Sequence, residues 1–157
     1  MDTLTSILKL VHKDVWMSSV DLKQAYYTCP IAKCHQQYLK FSWKGELYKY
    51  TYFPNGLAFC PRKFTKLLKP VFATLRQKGD IVSGYIDDTF LVGDSVEDCW
   101  NNVLDTVNMF QSLGFVIHPD KSVFEPTQKL VFLGFIIDSK NMTISLTDEK
   151  ARQLVNL

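Results

Sequence analysis

Two periods of apolar residues alternate along the chain, and each change of period marks a new element. Residues 3–11 carry a short helical pattern, and Val15 to Asp21 read as a strand. Between Tyr38 and Tyr52 the period is two. Tyr38, Phe41 and Trp43 precede Lys44-Gly45, and Leu47, Tyr48, Tyr50 and Tyr52 follow it, which predicts a β-hairpin. Phe64, Leu67, Leu68, Val71, Phe72 and Leu75 then recur at helical spacing. Pro61 suits the first position of that helix and Gly79 its stop, while Pro70 should bend it or crowd its middle.

A second hairpin is expected from Ile81–Ile86 and Thr89–Val92, with two aspartates, Asp87 and Asp88, at its tip. A helix opening at Asp94 or Ser95 follows, with Trp100, Val103, Leu104, Val107 and Phe110 as its stripe and Gly114 as its stop. "KLVFLGFIID" and "MTISL" predict a third hairpin around Ser139-Lys140-Asn141, and "TDEKARQLVNL" reads as a capped helix. Two helices interleaved with antiparallel strands imply an α+β fold with both helices on one face of the sheet. In that layout the strand ending at Asp21 and the Asp87-Asp88 hairpin lie side by side.

The bulk properties narrow the picture only a little. At 157 residues, 46% of them hydrophobic and 22% charged, the chain fits one globular domain, and no repeat or Gly/Ser linker divides it. A net charge of +2 is too small to announce a nucleic-acid partner, so only local clustering of charge carries that argument. Cys29, Cys34, Cys60 and Cys99 show no paired metal-ligand spacing, which makes structural zinc improbable and reduced thiols the expectation. "MDTLTSILKLVHKD" mixes acids and bases where a signal peptide needs an unbroken apolar run. No stretch is long and apolar enough to span a bilayer, so an intracellular protein with no membrane partner is expected.

An isolated Asp-Asp is ordinarily a solvated turn. If Asp21 folds beside Asp87 and Asp88, however, three carboxylates crowd one sheet edge and repel one another unless cations are present. Hard divalent ions that share oxygen ligands with phosphates resolve that conflict, and a pair of them about 4 Å apart is the arrangement for phosphoryl transfer. Local charge agrees. Arg62, Lys63, Lys66, Lys69, Arg76 and Lys78 crowd one helix, and Lys40, Lys44 and Lys49 stand among the aromatics of the first hairpin, where they could follow a phosphate backbone and offer stacking faces. Lysine-bearing helices are more often mere solvated surface, so the helix by itself favours neither reading.

Five stretches in order, "SSVDLKQAYYTCPI", "FPNGLAFCPRKFTKLL", "GYIDDTFLVG", "GFVIHPDKSVF" and "LVFLGFIID", resemble successive motifs of the reverse transcriptase palm. The likeness spans roughly residues 15–137 and leans toward elements with long terminal repeats or tyrosine recombinases rather than retroviruses. It implies a ferredoxin-like polymerase palm with a partial fingers hairpin. It implies that Asp21 and Asp87 hold two Mg²⁺ ions, replaceable by Mn²⁺, with Asp88 completing the acidic cluster and the Leu22 carbonyl as a further ligand. Ala25 and Tyr26 would bind the nucleotide, with Tyr26 beneath the incoming sugar, where its ring would clash with a ribose 2′-hydroxyl; read without the motif, Tyr26 is an ordinary core aromatic. Asn55 and Gly56 match a nucleotide-facing turn, and Asn stands where retroviral enzymes place Gln. Lys121 would act as general acid near the pyrophosphate, against the plainer reading of a solvated loop lysine. Pro61, Tyr85, Leu133 and Gly134 would contact the primer and template.

The implied partners are an RNA or DNA template with a DNA primer, deoxynucleoside triphosphates, and further polyprotein segments such as thumb and RNase H. A cytoplasmic retroelement particle or the nucleus is the implied location. Little precedes Asp21 and one incipient helix follows Thr147. Residues 1–157 therefore read as a single partial fingers-and-palm domain lacking thumb and RNase H, which leaves the activity of the chain by itself open. The competing readings are a catalytically inactive binding or interaction module descended from a retroelement, and an RNA-synthesising polymerase with a similar palm, against which Tyr26 speaks.

Overall fold

The computed structural model describes residues 2–155. In chain order the first half holds α1 (Leu4–Leu8), β1 (Trp16–Asp21), a 3-10 turn (Ala25–Thr28), α2 (Lys33–Gln36), β2 (Lys40–Trp43), β3 (Glu46–Lys49) and α3 (Phe59–Gln77). The second half holds β4 (Ile81–Tyr85), β5 (Asp88–Gly93), α4 (Val96–Ser112), β6 (Val123–Thr127), β7 (Lys129–Phe132), β8 (Phe135–Asp138), β9 (Thr143–Leu146) and α5 (Asp148–Val155). The expected run of α5 extends to Leu157, beyond the described residues.

A four-stranded antiparallel sheet of order β4-β5-β1-β6 forms the centre. β1 and β5 are its inner strands, buried on both faces: β5 reads as the apolar run Phe90-Leu91-Val92, while β1 buries Ser18 and Ser19, with the Ser18 hydroxyl bonded to Cys99 Sγ at 3.2 Å. Val20, Val82 and Leu91 meet Phe64, Leu68 and Leu75 of α3 and Val103 and Phe110 of α4, so both helices cover one face as the α+β pattern predicts. The opposite face, with Met17, Phe90 and Val92, packs under Ile7 of α1 and under Leu130, Phe132 and Ile137 of β7 and β8. That second cover was not legible in the element order, and it makes the body three layers deep.

Close approach of helix to sheet depends on glycine. A Cβ at Gly93 would lie 2.3 Å from the Cys99 backbone nitrogen in the first turn of α4, and one at Gly84 would lie 2.4 Å from the Phe72 ring of α3.

Several expectations change in detail. α3 begins at Phe59, so Pro61 stands inside the first turn, where its missing N–H is unneeded. The helix then runs through Pro70 without a break. Leu67, Trp100 and Leu104 are exposed rather than buried. Cys60 takes a core place in α3, and in α4 the buried face is Cys99, Asn102, Val103, Thr106 and Phe110. The stripe was misplaced because Asn102 is buried as a hydrogen-bond donor: its Nδ2 bonds Ile81 O at 2.8 Å and Val92 O at 3.2 Å. α4 is capped by Ser95, whose Oγ accepts from Asp98 N at 3.0 Å.

"KLVFLGFIID" is two strands rather than one, since Leu133 (φ 51°) and Gly134 (φ 78°) form a tight turn and make β7-β8-β9 a three-stranded meander. β6 was also missed, because Pro126 within it argues against a strand; it is tolerated on the sheet's edge. The β2–β3 hairpin forms as expected around Lys44-Gly45, yet every one of its strand residues is exposed. All four cysteines are unpaired thiols.

Candidate active site

Unbroken pairing along β1 and β5, from Trp16–Gly93 to Asp21–Asp88, carries Asp21 directly opposite Asp88. β4 and β5 pair as far as Tyr85–Asp88, leaving Ile86 and Asp87 as a two-residue turn. Ile86 has φ 58°, a conformation that a β-branched side chain rarely adopts. Two contacts hold it there. Its side chain packs on the helix-side core, and the Asp87 carbonyl accepts a 3.0 Å hydrogen bond from Leu22 N. The strained turn is thus clipped onto the end of β1, with all three acids at the same end of the two inner strands.

Their electrostatics follow from that crowding. Burial, a hydrogen bond shared with Asp21, and the charges of Asp87 and Asp21 push the Asp88 carboxyl up to about 7, against a smaller opposing pull from Lys121. Burial likewise raises Asp87, its own backbone N–H opposes the rise, and Asp21 adds to it while Lys121 counters it. Lys121 itself is exposed on the turn before β6.

The floor comes from the 3-10 turn after β1. Ala25 is buried, and Tyr26 sets its ring edge-on to Phe64 at 5.7 Å and 81°. Burial raises the Tyr26 phenol first, and the Asp87 charge adds to it, which puts the ring within electrostatic reach of the acids. Asn55 Nδ2 donates to Tyr27 Oη at 3.3 Å, tethering the Asn55-Gly56 turn to the residue beside Tyr26. Gly56 has φ 93° and open space where a Cβ would stand.

The other expected residues lie further out. Pro61 lines a groove of about 650 Å³ on α3 with Arg62, Thr65, Lys66 and Lys69. Tyr85 and Leu133 both pack on the core opposite the helices. Lys150 of α5 donates to the Leu133 carbonyl at 2.9 Å and lies 4.0 Å over the Phe135 ring, a tie that no motif signalled. His118 and Ser122, which bond the Asp21 backbone, were missed as well. A groove of about 790 Å³ is lined by Cys29, Phe53, Lys66 and Phe115 among others and by none of the three acids.

Among the described residues no three His, Cys, Asp or Glu side chains form a ready metal cage. Asp21 and Asp88, opposite each other across β1 and β5 with Asp87 in the adjoining turn, nevertheless match the way Mg²⁺ is held, by one or two carboxylates with substrate phosphates completing the shell. The donor set fits such an ion.

Comparison with known proteins gives the geometry its context. The family model for reverse transcriptase (RNA-dependent DNA polymerase) matches residues 1–137. The chain belongs to the reverse transcriptase family. It is 25% identical over 152 residues to the Pro-Pol polyprotein of simian foamy virus type 1, covering 96% of this chain and 12% of that protein. To the Gag-Pol polyprotein of walleye dermal sarcoma virus it is 28% identical over 138 residues, 86% of this chain and 8% of that one. The fold matches the foamy viral protease-reverse transcriptase solved with double-stranded DNA, at a TM-score of 0.81 and 24% identity, over 100% of this chain and 32% of that one. This reverse transcriptase chain therefore spans a small part of its relatives' length, and its likeness extends to retroviruses. No helix among the described residues is long and apolar enough to cross a membrane.

Proposed function

We propose that the chain is the palm, with part of the fingers, of an RNA-directed DNA polymerase that joins deoxynucleotides to a primer 3′ end. One observation carries the reading: Asp21 pairs with Asp88 across β1 and β5 while Asp87 stands in the adjoining turn. Acids forced together at the cost of a raised pKa are a feature of sites that bind cations or move protons.

Asp21 and Asp87 hold two Mg²⁺ ions in this reading, with Asp88 and the Leu22 carbonyl completing the donors and Mn²⁺ able to substitute. When bound, the ions neutralise the triphosphate and favour the 3′-oxygen as nucleophile. The chain's own residues do the rest. Tyr26, backed by Phe64, cannot retreat from the sugar, so it excludes a 2′-hydroxyl and selects deoxynucleotides. Ala25 leaves room beneath it, and the Asn55-Gly56 turn faces the nucleotide. Lys121 carries a proton at Nζ for the departing pyrophosphate. Tyr85, Leu133, Gly134 and Pro61 guide primer and template. Related foamy viral enzymes have been solved with an RNA/DNA hybrid and with double-stranded DNA, which supports such partners here. Thumb and RNase H segments would act beside this chain.

The test is primer extension on RNA and DNA templates by this chain joined to fingers and thumb segments, with Asp87→Asn as control. Extension is expected from the wild type and a loss of at least about a hundredfold from the variant. Equal extension by the two removes the assigned role of Asp87. Nucleic-acid binding that is unaffected by the substitution, with no extension by either protein, favours an inactive binding module instead.

A further inference from the structure

The two neighbours of β1 treat its end differently. On the β5 side the ladder is regular to Asp21–Asp88 and continues as Leu22 N donating to Asp87 O. On the β6 side the register slips, from Met17–Thr127 to Ser19–Val123, and β6 itself begins only at Val123. The Asp21 amide points to that side, past the end of the partner strand. Its acceptor is a side chain: Ser122 Oγ, at 2.9 Å.

The same hydroxyl donates to the His118 carbonyl at 2.8 Å, and His118 N donates to Asp21 O at 2.8 Å. Ser122 N also reaches the His118 carbonyl, at 3.1 Å. A hydroxyl offers one donor and two acceptor positions, so Ser122 Oγ meets both demands at once. Both backbone polar groups of Asp21 are therefore held by the one turn, residues 118–122, that also carries Lys121.

We propose that Ser122 is a positioning residue, whose hydroxyl locks the end of β1 to the Lys121 turn and so fixes the Asp21 carboxylate against Asp88. The inference rests on the reading of Asp21 as a metal ligand. A group that orients a ligand acts on the metal through it, and loss of such a partner typically weakens metal affinity by about 10–100-fold.

The experiment uses Ser122→Ala, Ser122→Thr and Asp21→Asn in the full chain, with three readouts: melting temperature, Mn²⁺ affinity from the paramagnetic resonance of free Mn²⁺, and hydrogen exchange at the Asp21 amide. Ser122→Ala is expected to bind Mn²⁺ about tenfold more weakly and to exchange the Asp21 amide about tenfold faster, while melting near the wild type. Ser122→Thr keeps a hydroxyl and is expected to restore both. If alanine unfolds the chain, Ser122→Cys replaces it, keeping the size while weakening both hydrogen bonds, and its affinity should fall between those of alanine and wild type. Unchanged Mn²⁺ affinity without the hydroxyl, or an Asp21 amide as protected as in the wild type, overturns the inference. Wild type and Asp21→Asn binding Mn²⁺ alike would instead sink the metal reading, and amide exchange then decides the Ser122 tie by itself.

Discussion

Asp88 is the residue at which the site's conflict is most measurable. Its folded carboxyl titrates near 7, against about 3.9 for an unfolded aspartate. Between those values the folded chain binds more protons than the unfolded one, so stability falls as pH rises from about 4 to 7. Asp88→Asn removes the cost. It is expected to stabilise the chain at pH 8 by on the order of 1–2 kcal/mol, allowing for solvent screening of a partly exposed group, and to change little at pH 4. Thermal melts at the two pH values check this, and equal shifts at both would show that Asp88 is not under charge stress. Tyr26 gives a second residue-level outcome. Replacing it with Ala should lower discrimination against ribonucleotides on the order of tenfold or more in primer extension, with deoxynucleotide use less affected. The convergence of Asp21, Asp87 and Asp88 was legible because the order of strand and hairpin sets their strands side by side. Ser122, His118 and Lys150 were not, because hydroxyl and backbone bonds across 101 positions, as from Ser122 to Asp21, leave no periodic trace.

Among the elements, pattern recovered α3 and α4 because each is long and amphipathic, and β4 and β5 because each is a short apolar run bounded by turn residues. It lost β6 to Pro126, ran β7 and β8 together as one strand, and rotated the buried face of α4 toward Trp100 and Leu104. Hydrophobicity alone cannot anticipate a buried Asn that bonds two carbonyls. The tight seat of α4 on β5 gives a mutational test. Gly93→Ala places a methyl 2.3 Å from a backbone nitrogen that has no room to move, and should cost about 1–3 kcal/mol in chemical denaturation. A variant as stable as the wild type would mean that the helix rides higher than described. β2–β3 lies at the other extreme. Tyr38 is 75% exposed, Trp43 62% and Leu47 69%, and a two-stranded hairpin with both faces in water is marginal by itself. Its amides should exchange at least about a hundredfold faster than those of β1 and β5.

For the whole molecule, three layers clamp the strands that end in the acids, and those acids sit at the ends of the two inner strands rather than in the groove beside Cys29 and Phe53. In the proposed function such a platform takes its substrate laid across it, as a duplex would lie, rather than enclosed like a small molecule. Everything functional then depends on whether the acids at 21, 87 and 88 accept divalent cations together. The most direct measurement is the melting temperature at pH 8 with and without Mg²⁺, in the wild type and in Asp21→Asn. Binding to the folded state alone raises stability in proportion to the logarithm of ligand concentration. The wild type is predicted to melt progressively higher as Mg²⁺ is added, and Asp21→Asn to be unmoved. Equal rises in the two proteins, or no rise in either, would contradict the account.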